Sequence, residues 1–152
     1  MALHRVRYRY IPEGGPFMTR YNTNLASEFY VLSMLHRLGC DASLTLGNKK
    51  SVDIVVVRES GDVATIDVKG LAGTSSWPVD NAKKVTEDHF LVFVSFLGKI
   101  GNHTVAPEVY VVPSIALEPL VYYSPKGDRR VLHLSRLRKD GTQFRDGWHS
   151  IR

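Results

Sequence analysis

Residues 52–70 read VDIVVVRESGDVATIDVKG, two strand-like runs about a polar turn. Val52–Val57 is dense in β-branched residues, which suit a pleated, half-buried surface. Ser60–Gly61–Asp62 is turn chemistry. Val63–Lys69 follows, and the spacing predicts an antiparallel hairpin of two strands. Side chains alternate along a strand, so Ala64, Ile66 and Val68 share a core-facing side. Thr65, Asp67 and Lys69 share the other. Asp53 opens the first strand, and counting back from a turn centred on Gly61 sets it opposite residue 69 or beside it. A solvated salt bridge of little worth would account for Asp67 and Lys69 alone. A second carboxylate converging on the same edge favours a built site.

Upstream, Leu25, Phe29, Leu32, Leu35 and Leu38 recur at helical spacing and Gly39 is a natural stop, which predicts a helix over Asn22–Leu38. Glu28 falls within that apolar stripe, where a carboxylate is costly unless a cation or donor meets it. The other reading places Glu28 at the helix edge or in its first turn. Clustered carboxylates attract hard divalent cations such as Mg²⁺. Such an ion neutralises a phosphate and lowers the pKa of bound water, and a neighbouring lysine orients the water or stabilises the transition state. The assembly suits phosphodiester hydrolysis.

Glu28 on a first helix, Asp53 heading a strand and Asp67–Val68–Lys69 ending the next resemble the PD-(D/E)xK nuclease superfamily. That is the fold of many restriction endonucleases and Holliday-junction resolvases. The resemblance spans roughly residues 22–113, and the order of helix and strands carries more of it than the short D-x-K motif. It implies an α/β, restriction-endonuclease-like fold with a mixed central β-sheet flanked by helices. It implies an endonuclease that hydrolyses DNA with Mg²⁺ or Mn²⁺. Asp53, Asp67 and the main-chain carbonyl of Val68 would hold the ion, with Glu28 in the metal shell, directly or through water. Lys69 would be the catalytic lysine. The proline that the family places before its first aspartate is Val52 here.

Further strands are expected at Ala42–Leu46, before a Gly47–Asn48 turn, and at Phe90–Phe96 and Val109–Val112, where both faces are apolar. Gly70–Pro78 reads as a Gly/Ser-rich loop and Val79–Asp88 as a short helix. Ser114–Leu117 reads as one helical turn, Arg130–Leu134 as a strand, and Thr142–Ile151 as an amphipathic helix carrying Trp148. Helix, strands, helix, strands spell an α/β or α+β domain with a mixed sheet.

The 152 residues suit one domain with an ordinary core. Residues 1–18, with Pro12, Gly14, Gly15 and Pro16, read as an N-terminal arm or, given Met18, a leader; residues 19–152 read as one nuclease-like domain with a basic tail. The net charge of +5 is unevenly placed: residues 124–152 carry eight Lys/Arg against three Asp, whereas residues 21–123 carry eight basic and eleven acidic groups. An acidic centre between basic ends suits a cation site beside a polyanion. Lys83, Lys84, Arg129, Arg130, Arg136, Arg138 and Lys139 are the candidate DNA contacts, and a sheet-edge homodimer would supply one site per strand. Arg5, Arg7, Tyr8, Arg9 and Tyr10 alternate charge and ring, as nucleic-acid-binding segments do.

The single Cys40 forms no internal disulfide, and with no apolar leader or membrane-length run the expected compartment is the cytoplasm. Gly70–Ser76 lacks the Gly-Lys-Ser/Thr ending of a P-loop, Ser27 lies in no G-x-S-x-G elbow, and the six histidines lack metal-ligand spacing. Two alternatives stand beside the enzyme: a non-catalytic nucleic-acid-binding protein on the same fold, and an interaction or assembly subunit with Asp67–Lys69 as a plain ion pair.

Overall fold

The computed structural model describes residues 19–45, 52–82 and 85–152. The basic arm, the turn at Gly47–Asn48 and the pair Lys83–Lys84 lie outside these residues. The chain opens with helix α1 (Arg20–Arg37), whose N-cap Thr19 accepts the backbone N–H of Asn22 at 3.2 Å. Gly39, at φ 80°, takes the left-handed conformation that ends the helix.

Five strands form the main sheet: β1 (Asp41–Leu44), β2 (Ile54–Val57), β3 (Val63–Leu71), β5 (His89–Ser95) and β6 (Glu108–Pro113), in spatial order β1-β2-β3-β5-β6. Only β3 and β5 are parallel, so the sheet is mixed, as expected. A second, antiparallel sheet orders β4 (Ser76–Pro78), β8 (Arg130–His133) and β7 (Tyr122–Tyr123) as β4-β8-β7. Helix α2 (Leu134–Asp140) follows β8 directly.

The main sheet has a core on each face. Ile66, Val68, Phe90, Val92, Val94, Val109 and Val111 pack with Val31 and Leu35 of α1 and with Trp148 and Ile151. The alternate residues Leu91, Phe93, Tyr110 and Val112 pack with Trp77 of β4, Leu132 of β8 and Leu134 and Leu137 of α2. This explains the doubly apolar β5, buried along its whole length. Buried Glu108 clamps the second layer to the sheet. It accepts Arg138 through both carboxylate oxygens at 3.0 and 2.8 Å, and the Tyr110 hydroxyl at 2.7 Å. Arg145 lies 3.2 Å away. These donors hold the Glu108 carboxyl down at about 2, the Arg138 hydrogen bonds contributing most.

Several expectations are corrected. The buried face of α1 is Thr23, Ser27, Val31 and Leu35, while Phe29 is 56% exposed. Ser27 can be buried because its hydroxyl donates to the Thr23 carbonyl at 2.8 Å, and its small size admits the sheet. The space between α1 and β3 is so tight that a Cβ on Gly70 would collide with the Ser27 hydroxyl and come within 3.0 Å of the Thr23 carbonyl. β3 runs on through Leu71, and Ser76–Pro78 is a strand where a loop was expected, because Trp77 finds a core against Leu132 and Phe93. No helix forms within Val79–Asp88 among the described residues; Val79 N–H pairs with the Arg130 carbonyl, and the Asp80 carboxylate accepts the Arg130 N–H at 2.7 Å. The C-terminal helix is replaced by 3-10 turns at Thr142–Phe144 and Trp148–Ser150, and the regular helix comes earlier, as α2. No helix among the described residues is long and apolar enough to cross a membrane.

Candidate active site

β2 begins only at Ile54, so among the described residues β3 beyond Ile66 is paired with β5 alone. Asp53 fills that gap. Its backbone N–H continues the ladder to the Ile66 carbonyl at 2.8 Å, and its carboxylate Oδ2 accepts the Val68 N–H at 2.7 Å. The turn closes between Arg58 and Asp62, whose backbones pair at 2.9 Å. The register Ile54↔Ile66 sets Asp53 level with Asp67, not with residue 69. The site thereby tightens: Asp53 reaches the Asp67 carboxyl itself.

Asp67 is nearly enclosed, its side chain 7% exposed. Lys69, on the same face of β3, places Nζ 3.0 Å from Asp67 Oδ2 and donates to Asn81 Oδ1 at 3.3 Å. Burial raises the Asp67 carboxyl to about 6, against the Lys69 ammonium, which pulls it down; the charge and hydrogen bond of Asp53 push it further up. Glu28 is half-buried on α1. Burial raises its pKa first, then the charges of Asp53 and Asp67. All four predicted residues therefore belong to one electrostatic neighbourhood. Among the described residues, however, no three His, Cys, Asp or Glu side chains are grouped closely enough to form a metal-ligand set. The tight unit is the pair Asp53–Asp67, with Glu28 beside it.

The chemistry of that pair fits a hard divalent cation. Two carboxylates within hydrogen-bond reach repel when both are ionised, and this repulsion adds to the burial that chiefly raises Asp67. An additional cation beside them relieves it. Asp53, Asp67 and the Val68 carbonyl are the oxygens that would hold it, with Glu28 close enough for the charges of Asp53 and Asp67 to act on it.

A cleft of about 790 Å³ opens beside the Lys69 end of β3. Arg20 and Asn24 of α1, Lys69, Pro78 of β4, Asp80 and Asn81 line it. Arg20, Asn24 and Asn81 were not among the residues read from the sequence. Asn81 lay inside a predicted helix, and the signal against that helix was the turn chemistry of Pro78, Asp80 and Asn81.

The predicted basic contacts divide. Arg130 is committed internally, donating to the Glu118 carboxylate at 2.6 Å and to the Val79 and Ala82 carbonyls. Arg138 is taken by Glu108. Arg136 pairs with Asp140 at 2.9 Å but is half-exposed, and the exposed Arg129 pairs loosely with Asp80 at 3.4 Å. Lys139 is exposed and, among the described residues, makes no ion pair. Lys83 and Lys84 lie outside the described residues.

Comparison with known proteins bears on the fold. The chain is similar to the solved structure of a bacterial homing endonuclease, I-Ssp6803I, with a TM-score of 0.58 and 17% identity over 88% of this chain and 91% of that one. No protein-family model and no curated protein sequence matches the chain.

Proposed function

We propose that this protein is a metal-dependent DNA endonuclease of the PD-(D/E)xK type, hydrolysing phosphodiester bonds in the cleft beside Lys69. One observation carries this reading: Asp53 and Asp67 meet beside Lys69 on β3, and Lys69 lines a cleft with Arg20, Asn24, Asp80 and Asn81. The endonuclease-like fold, with the α/β mixed sheet, supports it.

Asp53 and Asp67, with the Val68 carbonyl, would hold Mg²⁺ or Mn²⁺, and Glu28 would bear on it from α1. When bound, such an ion supplies Lewis-acid polarisation of the scissile phosphate and a more acidic water. Lys69 is anchored on one side by Asp67 and on the other by Asn81, so its ammonium is fixed at the cleft wall rather than sampling rotamers. From there it orients the attacking water or meets the charge developing on the phosphate oxygens. Arg20 and Asn24 face the same cleft from α1 and offer donors to the flanking phosphate. The exposed Arg129, Arg136 and Lys139 extend the phosphate-binding surface.

Purified protein is incubated with supercoiled, linear and branched DNA, with Mg²⁺ or with chelator, beside Asp67→Ala and Lys69→Ala. Cleavage that requires the ion and falls at least ~10²-fold in both variants is expected, the scale on which one catalytic group acts. Absence of cleavage by wild type, or equal cutting by the variants, refutes the enzyme. Binding of DNA without ion-dependent cleavage would point to a non-catalytic nucleic-acid-binding protein.

A further inference from the structure

The small sheet turns one of its faces away from the core, and that face starts at the cleft. In β4, Trp77 points inward against Leu132 of β8. The alternate residues therefore point outward: Ser76 and Pro78 on β4, and Val131 and His133 on β8. Ser76 and Pro78, with Trp77 between them, line the proposed catalytic cleft. The pairing register carries the row on, Pro78 to Val131 to Tyr122 of β7. The strip is thus continuous with the cleft and runs away from it across two strand spacings, about 10 Å.

Its outer end is aromatic and basic. Tyr122 is 51% exposed, and its ring meets the His133 imidazole edge-on at 5.5 Å. The two rings border a second hollow of about 340 Å³, whose remaining wall includes Ser135, Arg136 and Lys139 of α2. Lys139 makes no ion pair among the described residues, so its charge is available to an incoming ligand. Exposed rings beside cationic side chains, leading out of a hydrolytic cleft, match the chemistry of a nucleic-acid strand: flat sugar and base surface on one side, phosphate on the other.

We propose that the outward face of the small sheet, with Pro78, Val131, His133 and Tyr122 and with Lys139 at its rim, is the track along which DNA flanking the scissile phosphate lies. The assignment rests on the endonuclease reading of the cleft and names the surface that holds its substrate. The strip spans about three base-pair steps at ~3.4 Å each, so it contacts nucleotides on one side of the cut. Of the candidate contacts read from the sequence, Arg130 and Arg138 are not part of it, since Glu118 and Glu108 hold them.

The test uses the full chain and a fluorescein-labelled duplex of ~30 base pairs, with Kd measured by anisotropy at several salt concentrations and cleavage followed separately. The side chains concerned are exposed, and thermal melting checks that each variant folds. Tyr122→Ala with His133→Ala is expected to weaken duplex binding roughly tenfold, a scale set by losing a ring contact. Lys139→Gln is expected to reduce the slope of log K against log salt by about one. In both, KM rises while kcat at saturating DNA is kept. Arg37→Gln, which removes a charge at the far end of α1, serves as control and binds as wild type. If wild type binds and cuts DNA but the strip variants bind it equally well, the track is wrong and the catalytic reading stands. Wild type that binds no DNA overturns both. Strip variants that change the oligomeric state in sedimentation without changing DNA affinity assign the face to a second copy of the chain and overturn the track.

Discussion

Replacing Glu108 by Gln removes one charge from a carboxylate whose side chain is 6% exposed and keeps its shape. In the folded protein that carboxyl is held at about 2, against 4.5 ordinarily. That difference corresponds to about 3 kcal/mol of stability at neutral pH. Arg138 and Arg145 are half-exposed, and solvent screens their part, so about 2 kcal/mol is expected. With a urea m-value of ~2 kcal/mol/M, the unfolding midpoint falls by about 1 M. The pH dependence has a definite sign. A depressed folded-state value means that the contribution is fully present above pH 4.5 and is lost as pH falls towards 2. The stability gap between wild type and Glu108→Gln should therefore be flat from pH 7 to about 5 and close between there and pH 2. Urea unfolding of both proteins across that range reads it directly. A variant within about 0.5 kcal/mol of wild type at pH 7 would refute the clamp, as would a gap that does not close in acid.

Three further outcomes are expected. Gly70→Ala forces a methyl into the Ser27 hydroxyl and the Thr23 carbonyl, and should cost about 1–3 kcal/mol in thermal or urea unfolding; Ser27→Gly in the same chain should restore part of it. Asp53→Asn keeps an acceptor for the Val68 N–H and should melt within a few degrees of wild type, whereas Asp53→Ala leaves that donor unmet and should cost about 1–3 kcal/mol; both should lose cleavage. Phe29→Ser should change stability by less than about 0.5 kcal/mol, whereas Leu35→Ala should cost about 2–5 kcal/mol; the reverse order would mean that α1 is rotated from the face described.

Most of the candidate cluster can be read along the chain because it lies on one hairpin. Alternation puts Asp67 and Lys69 on one face of β3, and the short turn brings Asp53 back to the same end. The register was misjudged by two residues because the closing pair is Arg58 with Asp62, so the turn is centred on Ser60 rather than Gly61. The position of Glu28 on α1 differs from the sequence reading. It flanks the buried stripe of α1, a stripe that runs through Thr23 and Ser27 rather than through Phe29. Small polar residues at a close helix–sheet approach look like solvent-facing residues in sequence, because the carbonyl that satisfies each hydroxyl is invisible there.

Features that depend on neighbours a few residues apart were legible along the chain: the periodicity of β3, the doubly apolar β5 and β6, the turn between β2 and β3, and the Asp67–Lys69 pair. Covalent geometry sets those relations, so they survive without knowledge of the fold. Only the tertiary structure decided which charges remain available. Glu108 and Glu118, distant in sequence, consume Arg138 and Arg130, while Asn81 is carried to Lys69 and Tyr122 to the row that begins at Pro78. A basic tail is a property of composition, but a usable phosphate contact is what is left after the interior has taken its counter-ions. That remainder is set by packing between segments that no local pattern connects.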